Sequence, residues 1–130
     1  MKVVRVVAGI IERDGRLLVC QRRADAAFPL KWEFPGGKVE AGEDREEALR
    51  RELREELAIE AGRLSEFQRY EHRYANGTRV DLSFYAVHDY TGEVQNRAFE
   101  RIAWVERAGL SALDFLEGDR AVIEKLLGAR

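Results

Sequence analysis

The spacing of apolar and polar positions changes several times along the chain, and each change marks an element. Residues 3–11 are dense in β-branched side chains, with Arg5 the one charge among them, and Glu12-Arg13-Asp14 ends the run. That composition predicts a strand. Asp14-Gly15 is a two-residue turn signal, and residues 16–21 resume as a second strand, which makes a β-hairpin. From 24 to 43 the periodicity disappears. Both prolines, Pro29 and Pro35, and the pair Gly36-Gly37 fall here, so the segment reads as a long ordered loop. A loop of about 20 residues is uncommon in a compact domain and is often functional.

A helical period then takes over. Asp44 can cap a helix, Glu47 completes a capping box, and Leu49, Leu53 and Leu57 form an apolar stripe. The helix should stop between Ala58 and Gly62. Two strands follow, at about 64–74 and 79–89, with Asn76-Gly77 as the hairpin turn between them. Residues 102–105 read as a short strand. Residues 119–127 read as a final amphipathic helix with Val122, Ile123, Leu126 and Leu127 facing inward. The order β-β-loop-α-β-β-β-α predicts one α/β domain over 1–130, a sandwich with a mixed sheet.

The helix after the loop carries the chemistry. With Leu49 at zero and about 100° per residue, Leu53 and Leu57 fall at about 40° and 80°, and Glu56, Glu52 and Glu55 at about 340°, 300° and 240°. Three carboxylates thus share an arc beside the buried stripe, where nearby protein lowers the effective dielectric. They repel one another unless a cation lies between them, and a hard divalent metal takes such oxygen ligands. A Glu/Arg-rich helix is more often a solvated face braced by i,i+4 pairs, here Glu46/Arg50, Glu47/Arg51 and Arg51/Glu55. The Gly- and Pro-rich loop, the clustering of the glutamates, and the placement of Arg51 to reach back to Glu43 or the loop favour the metal.

Charge and cysteine content narrow the function. Lys+Arg 22 against Asp+Glu 24 leaves a net charge of −2, so no global basic field attracts a nucleic-acid polymer and any phosphate site must be local. A single cysteine, Cys20, forms no intrachain disulfide and makes a cysteine zinc site improbable; it reads as a small buried hydrophobe. The first apolar run is too short for a signal or spanning helix. A cytoplasmic enzyme or binding domain, monomer or homodimer, with no membrane partner fits best. His72 and His88 lack metal-ligand spacing and read as structural or surface residues.

Gly37, Glu43, Arg51, Glu52, Leu53, Glu55, Glu56 and Ile59 stand at the spacing of the box that defines the Nudix hydrolases, and the chain resembles that family. Ala58 stands where the box has a glycine, which ends the helix in a left-handed conformation. The likeness continues through Arg22-Arg23-Ala24 and Trp32-Glu33-Phe34-Pro35-Gly36-Gly37. It is greatest toward the MutT branch, which includes pyrophosphohydrolases of oxidised dGTP and of CTP. The resemblance implies an α/β/α sandwich. It also implies a magnesium ion, with manganese as an alternative, held by Glu52, Glu55, Glu56, the Gly37 carbonyl and a glutamate from a later loop. Glu100 is the best candidate for that glutamate and Glu93 the alternative. Water would attack the β-phosphorus of a nucleoside triphosphate, releasing a monophosphate and pyrophosphate, with Glu52 or Glu55 as base and Arg51 as brace.

For the substrate, the resemblance gives Arg23 to phosphate or sugar, with Arg22 turned to solvent, and Lys38 within reach of phosphate. Phe34 and Trp32 are either a floor for the base or part of the core. Asp119 matches the position of an amide that reads the purine edge, and otherwise caps the last helix. An ionised Asp only accepts hydrogen bonds, which keeps cytosine nucleotides in play beside oxidised guanine. Two rivals remain: a hydrolase of nucleotide sugars or dinucleoside polyphosphates, and a domain that senses a nucleotide without cleaving it. The three intact glutamates argue against the sensor.

Overall fold

The computed structural model describes residues 3–128. Strands β1 (Val3–Arg13), β2 (Arg16–Gln21), β3 (Trp32–Glu33) and β4 (Gly36–Lys38) precede helix α1 (Arg45–Leu57). Strands β5 (Glu60–Ala61), β6 (Leu64–Arg73), β7 (Arg79–Val87), β8 (Tyr90–Thr91) and β9 (Arg101–Glu106) follow, then two 3-10 turns (Arg107–Ala112 and Glu117–Asp119) and helix α2 (Arg120–Gly128). The central strand β1 runs parallel to β7, from Val3↔Arg79 to Ile11↔Val87, and antiparallel to β2 and β4. Strand β6 flanks β7, and β3 and β9 both pair with β2. The sheet is therefore mixed, as expected.

Alternation along the strands builds two cores. Val7, Ile11 and Leu18 face α1 and pack with Leu49, Leu53 and Leu57. Ala8, Ile10, Leu17 and Val19 face the other way and pack with Val122, Ile123 and Leu126 of α2. The result is an α/β/α sandwich, with each fully buried leucine contributing about 1.5–3 kcal/mol. Gly9 sets how close α1 comes to the sheet: a Cβ there would lie 3.2 Å from Val87 and 3.6 Å from Leu49.

Helix α1 starts where its sequence says. The Glu47 N–H donates to Asp44 Oδ1 at 2.8 Å and the Asp44 N–H donates to Glu47 Oε1 at 3.1 Å, a complete capping box. It ends on Ala58, which takes the left-handed conformation (φ 61°, ψ 30°) with its N–H bonded to the Arg54 carbonyl. The chain thus keeps the turn that glycine favours and bears the steric cost of a Cβ there. Ala58→Gly should raise unfolding stability by about 0.5–1 kcal/mol, read as a higher urea midpoint at unchanged slope.

Some expectations need correction. The segment 24–43 is not all loop: β3 and β4 lie within it, paired to β2 and β1. Gly-Gly-Lys has no strand signature, but a Cβ at Gly36 would collide with the Val7 carbonyl, so only glycine admits this pairing. Strand β7 stops at Val87 because Asp89 turns the chain. Its carbonyl accepts from the Gly62 N–H at 2.8 Å and its carboxylate from the Arg63 N–H at 2.6 Å, and the next residues form β8. Helix α2 begins at Arg120, one residue later than expected. Leu127, expected inward, is 42% exposed. Taking Val122 as zero, the buried arc ends with Ile123 at about 100°, and Leu127 falls outside it at about 140°.

Candidate functional site

Burial of the three glutamates follows their angle on the helix. Glu56, nearest the leucine stripe, is the most enclosed; the Glu52 side chain is 15% exposed and that of Glu55 is 59% exposed. Arg51 ties them to the preceding loop. Its Nε and Nη2 donate to the two oxygens of Glu43 at 2.6 and 3.0 Å, Nη1 donates to Glu52 at 2.8 Å and Glu55 at 3.3 Å, and Nη2 also donates to the Lys38 carbonyl at 3.0 Å. Both anticipated reaches of Arg51, to Glu43 and to the loop, are present. The fork holds the Glu43 carboxylate down at about 2.

Glu52 lies directly against Gly37. A Cβ on residue 37 would come within 2.5 Å of its carboxylate carbon, so the glycine lets backbone and carboxylate meet. Behind it, burial and then the charges of Glu52 and Glu33 push Glu56 up to about 9. Burial also raises Glu52, against the pull of Arg51. At neutral pH Glu56 therefore keeps a proton. Its Oε1 is buried with no hydrogen-bond partner among the described residues. No three acidic side chains among those residues converge as a finished cation cage, since Glu52 and Glu55 both lean on Arg51. The donor set nevertheless suits a hard cation: an orphaned carboxylate oxygen, a neighbouring carboxylate and a backbone approach kept open by glycine.

Loop 92–100 crosses the end of α1, with the Arg97 N–H on the Glu56 carbonyl at 2.9 Å and the Gln95 N–H on that of Leu57 at 2.9 Å. Glu100 closes this loop, exposed, with its N–H on the Gln21 carbonyl at 2.9 Å. Glu93 is exposed nearer the start of the loop.

The remaining candidates divide. Arg23 is exposed and pairs with Asp25 at 3.2 Å, and Lys38 is exposed on β4. Phe34, only 2% exposed, packs against Phe84 and Phe115, and Trp32 is also buried, so both rings belong to the core. Asp119 does not cap α2. It sits 5% exposed in the turn before the helix and accepts from the Phe34 N–H at 3.3 Å. Burial, then the charge of Glu33, pushes it up to about 8. It is therefore mostly protonated at neutral pH, which corrects the expected ionised form and lets it donate as well as accept. His72 is edge-on to Tyr74, and His88 pairs with Ser65 at 2.6 Å.

Arg22 and Glu33 form a pair that the sequence reading did not anticipate. Arg22, expected in solvent, turns inward to Glu33 at 3.1 and 3.3 Å, and its Nε donates to the Ala27 carbonyl at 2.7 Å. Alternation placed it wrongly because β2 ends at Gln21, where strand geometry stops. Glu33 is largely buried, and its charge raises both Glu56 and Asp119. Its place beside the glycine pair was the available signal.

A family model described as NUDIX domain matches residues 1–126. The chain is 37% identical over 130 residues to the CTP pyrophosphohydrolase of Escherichia coli K12, covering 100% of this chain and 96% of that one. It is 37% identical over 127 residues to the 8-oxo-dGTP diphosphatase of Haemophilus influenzae, covering 97% and 93%. The solved structure of a MutT NUDIX hydrolase from Burkholderia pseudomallei superposes with a TM-score of 0.83 at 28% identity, covering 95% of this chain and 98% of that one.

Proposed function

Because the chain belongs to the Nudix hydrolase superfamily, in its MutT-like branch, we propose that it hydrolyses oxidised or otherwise modified nucleoside triphosphates in the cytoplasm. The products are a nucleoside monophosphate and pyrophosphate. The general activity, cleavage of a phosphoanhydride in a nucleoside triphosphate, comes with the family. No helix among the described residues is long and apolar enough to cross a membrane.

In this reading Glu52, Glu55, Glu56 and the Gly37 carbonyl hold magnesium, or manganese, and Glu100 reaches in from loop 92–100. Bound there, the metal would neutralise phosphate charge and acidify a water. Glu52 or Glu55 takes the proton of the attacking water. Arg51 holds both carboxylates in orientation through its fork to Glu43. Arg23 and Lys38, both exposed, meet the phosphates, while Arg22 is engaged by Glu33. Asp119, carrying its proton, meets the base edge either as donor or as acceptor. The observation that carries the reading is the unpaired, buried Oε1 of Glu56 beside a carboxylate that only a glycine lets approach the backbone.

A second reading, CTP as substrate, is favoured by the carboxyl at position 119, which can accept the cytosine amine. A panel of 8-oxo-dGTP, dGTP, CTP and ADP-ribose with magnesium, its products separated by chromatography, decides between them. Monophosphate plus pyrophosphate, formed fastest from 8-oxo-dGTP, is the expected result. Preference for CTP selects the second reading. Cleavage of ADP-ribose alone rejects both, and tight binding without turnover of any compound indicates a sensor.

A further inference from the structure

Gln21 is a buried polar residue that the mechanism above does not use. It ends β2 at only 8% exposure, and its side-chain nitrogen and oxygen each bond to a different segment. Its Nε2 donates to the Leu30 carbonyl at 3.1 Å, and its Oε1 accepts from Arg101 Nε at 3.0 Å. Its backbone carbonyl accepts the Glu100 N–H at 2.9 Å. The Arg101 guanidinium is held a second time, 5.9 Å above the Trp32 ring.

The Leu30 side of this junction needs support. Loop 22–31 contains two non-glycine residues in the left-handed region, Phe28 (φ 52°) and Leu30 (φ 62°), both with exposed side chains. Such conformations persist only where the surroundings impose them. The Leu30 N–H bonds to the Arg22 carbonyl at 3.2 Å, Gln21 takes the Leu30 carbonyl, and the loop tip rests on Tyr74, with ring centroids of Phe28 and Tyr74 4.9 Å apart. The same loop carries Arg22 and Arg23.

We propose that Gln21 is a positioning residue: its side-chain amide locks loop 22–31, which meets the nucleotide, to the segment of Glu100 and Arg101, which borders the metal. A buried amide satisfied at both ends cannot follow one segment without leaving the other unpaired, so the two segments keep a fixed relation. The inference rests on the functional reading above for the roles of the two segments, and amide exchange tests the lock without depending on that reading.

Two variants separate the arms. Gln21→Glu keeps an acceptor for Arg101 and loses the donor to Leu30; Gln21→Met keeps the length and loses both. Hydrogen exchange is followed at Leu30, Lys31, Glu100 and Arg101. Calorimetry measures binding of the α,β-methylene analogue of 8-oxo-dGTP and the magnesium needed for half-saturation. Gln21→Glu should speed exchange at Leu30 and Lys31 only and weaken analogue binding about 5-fold, the loss of one ordinary hydrogen bond. Gln21→Met should also speed exchange at Glu100 and Arg101 and raise half-saturating magnesium by about 3-fold or more. Unchanged exchange at both segments in Gln21→Met overturns the lock. Faster exchange with wild-type affinities, or a fall in thermal midpoint alone, overturns the positioning role. Wild-type protein that binds no analogue counts against the functional reading, and the exchange data still decide the lock.

Discussion

Gln in place of Glu56 should lower turnover of the preferred nucleotide at least about 100-fold and, in the same protein, raise the metal-free melting temperature above neutral pH. The two effects share one cause. Burial and the neighbouring charges of Glu52 and Glu33 raise the Glu56 carboxyl to about 9, far above an unfolded glutamate at about 4.3. Between those values the folded chain binds more protons than the unfolded one, so the contribution is full below about pH 4.3 and is lost as pH rises toward 9. By pH 8 the metal-free wild type has lost on the order of a few kcal/mol that a neutral glutamine does not lose. Asp119, at about 8, adds a slope of the same sign but is common to both proteins. Melts at about pH 4 should therefore nearly coincide, and at about pH 8 the variant should melt higher. Magnesium should raise the wild-type midpoint at pH 8 and leave the variant almost unmoved. Glu55→Gln removes an exposed carboxylate; it should lose comparable activity without the alkaline gain. Equal pH slopes for wild type and Glu56→Gln, or turnover within about 10-fold of wild type, would remove Glu56 from the site.

Helix α1 was legible because its rules are local. Capping depends on residues three apart, and the stripe and the acidic arc beside it follow from a fixed rotation per residue. Partners distant in sequence were not legible. Strand β4 exists because β1 offers its backbone and Gly36 has no Cβ to obstruct it. The parallel pairing of β1 with β7 leaves no mark on either strand, since each reads as apolar whichever neighbour it has. The protonation of Asp119 depends on how deeply the sheet and the turn before α2 enclose it. Arg22 and Arg23 are adjacent, and only the path of the chain after Gln21 decides which one meets Glu33.

Arg51 is where the legible and the illegible parts of the site meet, and Arg51→Lys should have the second largest effect. Lysine keeps the charge but presents a single ammonium, which cannot hold both oxygens of Glu43 and also reach Glu52, Glu55 and the Lys38 carbonyl. The expected outcome is a half-saturating magnesium concentration about 10-fold or more higher, with a smaller fall in kcat once metal is saturating, because the carboxylates lose orientation and not identity. A pH signature accompanies it. Glu43, held down at about 2 by this guanidinium, contributes stability above the unfolded value of about 4.3, and that contribution is lost as pH falls through 2. Without the fork the carboxyl protonates at a higher pH, so acid unfolding of Arg51→Lys should begin at a higher pH than in the wild type. If kcat falls instead while the magnesium requirement stays at the wild-type value, Arg51 acts on the reacting phosphate itself, and its fork to Glu43 is incidental to catalysis.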